Sequence, residues 1–522
     1  MEENKNSVEK KKKKRRRVRY VPLRYVFAVL ISVAEVAAII GLVIWACLYV
    51  PHVFFIALFL DVACIITIIA SNDNPEYKVP WLVVVLVFPI VGFMLYLMFY
   101  SRKLKRKFVK RLIKLADFKY PEYVDGRADR LKEENLTAYN QAELLRKLSG
   151  SALFSDTRQT YFSQGEEMWK SMLVDLENAQ NFIYLEFFII EQGEFWDSIL
   201  DILKEKAKQG LDVRVLFDDI GCMRTLPGNY AKKLRKYGIK ATQFSRLKGQ
   251  ADNEFNNRSH RKLMIADGKI CYTGGVNIAD EYVNLKKRFG HWKDSGIRLE
   301  GEAVYEFTRM FLIDFGINVK KPPENPDAET LFPATDVSAD GYVVPFGDGP
   351  KPFYKRRVAQ SLIVDMLFNA KRYAYITTPY LIIDNDLCLA LESAALKGVD
   401  VRIVVPHIPD KKIVFEMTKT FYERLMKAGV KIYEYKPGFI HAKSYLVDDE
   451  TAMIGTVNMD YRSLVHHFEN GVWMYKTDSI ADLKKDMTET MEKSIYIQPE
   501  TVKTGWLRKL FRSLVRFFAP LM

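Results

Sequence analysis

Apolar residues are distributed along this chain in two different ways. In the first hundred positions they form long runs, about Tyr25–Tyr49, Val53–Ala70 and Trp81–Tyr100. Each approaches or exceeds the ~20 residues with which a helix crosses a bilayer. From about Pro121 onward the apolar runs are shorter and alternate with stretches of helical periodicity, the pattern of buried strands covered by helices. Asn181–Ile190 (NFIYLEFFII) is matched later by Arg372–Ile382 (RYAYITTPYLI), and Gly210–Phe217 (GLDVRVLF) by Gly398–Val405 (GVDVRIVV). Tyr237–Lys240 and Ala428–Lys431 make a third matched pair. Each half reads strand, helix, strand, helix, strand, then a hairpin. The prediction is an α/β fold of two pseudo-symmetric sandwich halves, preceded by a helical membrane region.

The stretches between these patterns set the boundaries. Residues 1–21 are charged and predict a disordered basic tail, and residues 22–100 a membrane region of two to three helices. No signal-peptide cleavage pattern follows the first apolar run, so that run is expected to be retained. Residues 101–120 place Leu104, Phe108, Leu112 and Leu115 at helical spacing among Lys and Arg, as in a helix lying along lipid headgroups. The first half spans 121–319 and the second 353–502, and the polar, Pro-rich stretch 320–352 is expected to loop over the surface as a linker. In the tail, 503–522, Trp506, Leu507, Leu510, Phe511, Leu514, Phe517 and Phe518 make a broad apolar face edged by Arg508, Lys509, Arg512 and Arg516. That combination predicts an interfacial membrane helix.

The membrane region poses a parity problem. Basic clusters flank both of its ends, and the positive-inside tendency asks for an even number of crossings, whereas three runs are available. Either one run stops short or one cluster lies on the far side. Pro89 and Gly92 permit a kink or a re-entrant turn in the third run. Glu35 and Asp61, inside the first two runs, must face another helix or water to be tolerated at mid-bilayer.

Formal net charge is +14, which taken alone would admit a nucleic-acid partner. Its location argues against one. Windows 10–24, 102–114 and 503–516 hold ten, eight and five Lys/Arg and no acid, which leaves −9 on the remainder. An acidic body with basic segments beside apolar runs fits an anionic membrane surface rather than a nucleic-acid groove. Cys47, Cys64, Cys222, Cys271 and Cys388 have no C-x-x-C spacing and read as buried small apolar residues, not as disulfides or a zinc site.

The candidate chemistry lies in the two hairpins. Asn256–Tyr282 contains His260, Lys262 and Asp267 in the spacing H-x-K-x4-D, then Gly274, Gly275 and Asn277. The second half repeats it with His441, Lys443, Asp448, Gly455 and Asn458. From His to Asn is 17 residues in both copies, in a chain with seven histidines, so the match is not chance. His and Lys two apart on a strand share a face. Two imidazoles and two ammonium groups suit nucleophilic catalysis on phosphorus. One imidazole attacks a phosphodiester and forms a phosphohistidine, while the other protonates the departing alkoxide and later deprotonates the incoming hydroxyl. Lys262, Lys443, Asn277 and Asn458 suit the non-bridging oxygens.

Each imidazole needs a carboxylate to fix its tautomer. Asp294 in HWKDSGIRLEG and Glu469 in HHFENGVW recur 34 and 28 residues after the motif histidines, and which serves which depends on how the halves face. Asp267 and Asp448 complete the motif set but occupy the expected hairpin turns. His291, His466 and His467 are weaker candidates for a headgroup pocket. No Asp/Glu/His run has metal-ligand spacing, so no metal and no cofactor is expected.

The duplicated H-x-K-x4-D-x6-G-[GT]-x-N pattern resembles the phospholipase D superfamily. EFF at Glu186–Phe188, TTPY at Thr377–Tyr380, HWKDSGIRLEG, NPEYKVPW at Asn74–Trp81 and the basic aromatic tail are similar to the bacterial cardiolipin synthases, from about residue 50 to the end. The additional apolar run before residue 50 departs from that family's commonest two-span plan. The resemblance implies two phospholipase D-like halves with a catalytic set of His260, Lys262, Asp267, His441, Lys443 and Asp448. It implies transfer of a phosphatidyl group between two phosphatidylglycerol molecules, giving cardiolipin and glycerol, with His260 as nucleophile and His441 as acid and base. It further implies a multi-pass protein of a bacterial plasma membrane whose partners are phosphatidylglycerol, cardiolipin and other anionic lipids, and the basic clusters favour a cytoplasmic catalytic part. A lipid phosphodiesterase, or a synthase using another headgroup alcohol, would share these motifs. The acidic body weighs against a nuclease, and two intact motifs against an inert scaffold.

Overall fold

The computed structural model describes residues 23–72, 74–99, 106–116, 127–246, 256–354, 356–502 and 505–519. The basic tail expected at 1–21, residues 101–105 and 117–120 of the juxtamembrane stretch, and residues 503–504 and 520–522 lie outside them. The three apolar runs become four helices: α1 Leu23–Tyr49, α2 Pro51–Ala70, α3 Pro75–Val87 and α4 Val91–Phe99. Pro51 and Pro75 open their helices, where a missing N–H is harmless, and the Asn74 side chain caps α3 by accepting from the Glu76 N–H. α1 and α2 are long and apolar enough to cross a membrane. The next helix, α5 Arg106–Ala116, differs from its expectation. Its apolar stripe packs on the body, with Leu112 fully buried and Phe108 and Leu115 beside it, so its basic face, not its apolar one, is turned outward.

Among the described residues the body holds two large sheets. The first runs in spatial order β1 (Thr157–Phe162), β8 (Gly296–Gly301), β6 (Ile270–Gly274), β5 (Lys262–Ala266), β2 (Phe182–Phe187), β3 (Asp212–Asp218), β4 (Lys240–Phe244). The second runs β19 (Ser494–Tyr496), β13 (Lys431–Tyr435), β12 (Asp400–Pro406), β10 (Tyr373–Thr377), β15 (Ser444–Val447), β16 (Thr451–Gly455), β18 (Glu469–Tyr475), β9 (Tyr342–Asp348). In both, three parallel strands adjoin an antiparallel motif hairpin, β5–β6 or β15–β16. The pseudo-symmetry of the sequence is thus a symmetry of topology.

The central strands are buried on both faces, which is why they read as continuous apolar runs. Phe182 and Tyr184 of β2 face a core shared by the two sheets, to which Phe307, Phe311, Leu483 and Met487 contribute from helices Val304–Ile317 and Ser479–Glu492. Ile183, Leu185 and Phe187 face outer helices of the first half. Two segments depart from the expected division. The stretch read as a linker ends in β9, an edge strand in which Pro345 is tolerated because one side of an edge needs no ladder donor. Helix Leu136–Ser149, placed in the first half by its position along the chain, buries Ala138, Ala142 and Leu145 in the outer core of the second.

Candidate active site

Two short backbone pairings across the halves bring the motifs together. β7 (His291–Lys293) lies parallel to β14 (Gly438–Ile440), and the His441 N–H donates to the Lys293 carbonyl at 2.6 Å. On the other side Ser259 bridges Phe468, and the His260 N–H donates to the Phe468 carbonyl at 2.8 Å. Each histidine is therefore registered against the residue that precedes a carboxylate of the opposite half. The pairing is crossed. His260 Nδ1 lies 2.9 and 3.0 Å from the two oxygens of Glu469, and His441 Nδ1 lies 2.7 Å from Asp294 Oδ2.

All four groups are buried, both carboxylates completely. Lys262 and Lys443 are buried, and each ammonium donates to the carbonyl of its own motif histidine. Burial pushes both imidazoles down to about 4, and the lysines to about 7 and about 8, respectively. Burial alone would raise the Glu469 carboxyl, but His260 and His467 hold it well below the usual range. At neutral pH the resting site thus holds neutral imidazoles, with the Glu469 carboxylate ionised. Phe188 stands edge-on to His260, ring centroids 5.1 Å apart, while Tyr282 and Trp292 flank His441 at 5.4 Å each. These aromatics line the two imidazoles.

The family model described as "Cardiolipin synthase, PLD-like domain" matches residues 172–310 and 363–491, and "Phospholipase D-nuclease N-terminal" matches residues 59–99. A protein of Halalkalibacterium halodurans described as cardiolipin synthase is 35% identical over 470 residues, covering 88% of this chain and 91% of its own length. The chain belongs to the cardiolipin synthase family. An uncharacterized protein of Streptococcus mutans is 40% identical over 465 residues, covering 88% of this chain and all of that one. The crystal structure of the phosphatidylserine synthase of Haemophilus influenzae Rd KW20 shares the fold, with a TM-score of 0.54 at 17% identity, over 74% of this chain and 99% of that chain.

Within this family member the motif residues divide by position. Asp267 and Asp448, grouped by the sequence with the catalytic set, sit beyond the far ends of β5 and β15 from the histidines. Both adopt a left-handed backbone, with φ of 53° and 56°, in the hairpin turns. Asp267 accepts from the N–H groups of Gln180, Asn181 and Phe182, and Asp448 from those of Lys371, Arg372 and Tyr373. Their catalytic grouping is corrected: each ties its hairpin to the start of the neighbouring strand. Asp267→Ala is expected to lower the apparent melting temperature, since charge-assisted bonds of this kind are worth roughly 1.5–3 kcal/mol each. The folded variant should keep activity within about threefold of the parent, because the loss is one of stability. Calorimetry alongside a product assay at low temperature checks both halves of that statement.

The two asparagines are not equivalent. Asn277 accepts from the Ile189 N–H at 3.0 Å and donates to Tyr282 Oη at 2.9 Å, so it is committed to bracing the site wall. Asn458 Oδ1 is buried with no donor among the described residues. Of the further histidines, His467 lies tilted against His260 with ring centroids 5.3 Å apart, His466 contacts Tyr77 of α3, and His291 contacts Tyr435. Two residues that sequence reasoning passed over, Thr456 and Ser463, complete the site, and Gly275 of the motif gains a role. Thr456 and Ser463 donate to the two oxygens of Glu469. Gly275 occupies the slot of Thr456 in the other copy, and there a Cβ would fall 1.9 Å from Asp294 Oδ1, so a side chain is excluded. The G-[GT] variation in the motif was the available signal for Thr456; Ser463 had none.

No metal-ligand spacing exists along the chain, yet the fold gathers His260, His467 and Glu469 with ligand atoms within 4.8 Å of one another. The Glu469 oxygens already accept from His260, Thr456 and Ser463, so a cation there would have to displace those bonds.

Proposed function

We propose that the protein is a cardiolipin synthase that moves a phosphatidyl group from one phosphatidylglycerol to another through a phosphohistidine. The observation that carries this reading is the crossed pair of His–carboxylate contacts. In each, Nδ1 faces the carboxylate, which leaves Nε2 to react: as a lone pair on His260 and, once the substrate phosphate draws a proton onto it, as an N–H on His441. His260 Nε2 attacks phosphorus, the N–P bond forms, and the P–O bond to the headgroup glycerol breaks. His441 gives its Nε2 proton to that oxygen, and glycerol leaves. The hydroxyl of a second phosphatidylglycerol returns a proton to His441 as its oxygen attacks phosphorus and the N–P bond breaks. Lys262, Lys443 and Asn458 hold the non-bridging oxygens, where charge builds. The negative phosphate also favours the proton on His441 that burial alone disfavours. One phosphodiester replaces another, so no nucleotide is consumed.

The membrane setting supports a lipid substrate. The C-terminal helix, Trp506–Phe518, is anchored by Arg508 and Arg512 on Glu416, while Trp506, Leu507, Leu510 and Leu514 remain mostly exposed. Its polar edge grips the body and its apolar face is free for acyl chains. Basic windows 102–114 and 503–516 adjoin the catalytic halves in the sequence, and by the positive-inside tendency they favour the cytoplasm for that side.

The test is direct. Purified protein given phosphatidylglycerol alone in micelles containing EDTA yields cardiolipin and glycerol in equal amounts, read by mass spectrometry. Phosphatidic acid without cardiolipin would mark a hydrolase, and turnover only after another alcohol is added would mark a different acceptor.

Acid should act on both activity and stability. His260, His441 and His467 are each lowered to about 4, below the unfolded value, so between pH 6.5 and 4 the unfolded chain binds more protons than the folded one. Stability is present above that window and is lost as pH falls through it. The acid limb of kcat/KM should lie near pH 4, where His260 gains a proton and loses its nucleophilic lone pair. A limb centred near the ordinary histidine value of ~6.5 would contradict the burial argument.

A further inference from the structure

The third apolar run is broken at its middle and folded back on itself. α3 ends at Val87, and Ile90 turns the chain in the left-handed region, with φ of 70°, while its N–H reaches Asp61 Oδ1 of α2 at 3.3 Å. Gly92 then lies so close to α3 that a Cβ would fall 2.4 Å from the Val84 carbonyl oxygen. The rings of Trp81 and Tyr96 meet edge to face at 5.7 Å. In an unbroken helix those residues would be about 22 Å apart along the axis. Thirteen residues of α3 reach about 20 Å and nine of α4 about 13 Å, both short of the ~30 Å apolar core of a bilayer.

Both ends of this hairpin are tied to the catalytic body. Before it, Asn74 Nδ2 donates to Asp384 at 3.1 Å, Tyr461 Oη donates to Glu76, and Tyr77 Oη contacts His466 Nε2 at 3.2 Å. After it, α5 is held by the Arg111 guanidinium on the Val319 carbonyl and by buried Leu112. Val79, Val83, Leu86, Val87, Phe88 and Leu97 face outward, continuous with the exposed apolar surface of α2.

We propose that Pro75–Phe99 is a re-entrant hairpin whose partner is the acyl layer of the leaflet facing the catalytic body, so that the chain crosses the bilayer only twice. α2, 20 residues or about 30 Å long, arrives from the far side at Ser71, and α1, 27 residues or about 40 Å, starts on the near side. The parity problem is thereby removed: all three basic windows lie on one face. The hairpin also docks Tyr77 on His466, next to His467 and three residues from Glu469 at His260, which puts the membrane surface beside the imidazoles.

Single cysteines in the full-length chain, in a Cys47→Ala background that leaves the buried thiols, test this with a membrane-impermeant maleimide on sealed right-side-out and inverted vesicles. Ser7→Cys and exposed Glu133→Cys should label from one and the same face, Val50→Cys from the other, and Phe88→Cys from neither until detergent is added. Ser7→Cys and Glu133→Cys labelling from opposite faces, or Phe88→Cys labelling from the face opposite Glu133→Cys, would overturn the hairpin. Labelling is read without any product, so it stands or falls apart from the catalytic assignment.

Discussion

His441→Ala mixed with a phosphatidyl ester of p-nitrophenol releases one burst of nitrophenol and then stops, with the phosphatidyl group trapped on His260. His260→Ala gives no burst. Nitrophenolate leaves without a proton, so the first half-reaction needs the nucleophile but not the acid. The second half-reaction needs a base to deprotonate the incoming hydroxyl, and that base is absent. On phosphatidylglycerol itself, each substitution should cost about 10⁴-fold or more in turnover, the scale seen when a nucleophile or its proton partner is removed from a unit that acts together. Peptide mass spectrometry of the trapped enzyme identifies the residue. An adduct on His441 in the His260→Ala protein would reverse the roles.

The crossed pairing makes an equally large and less obvious prediction. Glu469→Gln, a change in the second half, should silence His260 of the first half and abolish the nitrophenol burst. Asp294→Asn, only 34 residues from His260, should leave the burst intact while lowering phosphatidylglycerol turnover by about 10³–10⁴-fold, the range for a histidine deprived of its orienting carboxylate. The reason lies in the contacts: Glu469 faces His260 Nδ1, and Asp294 faces His441 Nδ1. An uncrossed arrangement predicts the opposite result for the same two proteins. Combining His260→Ala with Glu469→Gln should be no worse than His260→Ala alone, because the carboxylate acts through the imidazole.

What this sequence determined by itself is whatever is written in local pattern. Buried strands appear as apolar runs because both faces of the central strands are covered, and the repeat of those runs shows two halves. His260, Lys262, His441 and Lys443 were legible because a two-residue spacing on a strand fixes a shared face whatever surrounds it. The two long N-terminal apolar helices were legible because each is written as one nearly unbroken apolar run. The tertiary structure decided everything that depends on which strangers meet. The carboxylate served to each histidine follows from two inter-half backbone pairings, at Ser259–Phe468 and β7–β14, which no spacing encodes. Asp267 and Asp448 share the motif but lie a strand's length from the imidazoles, because a strand carries its two ends apart. Ser463 reaches Glu469 only through a turn of π-helix at Arg462–His466. The third apolar run has the length of a span, and it folds back because an N–H from Ile90 finds Asp61 and Gly92 lets two helices touch, contacts between segments that the linear pattern treats as separate.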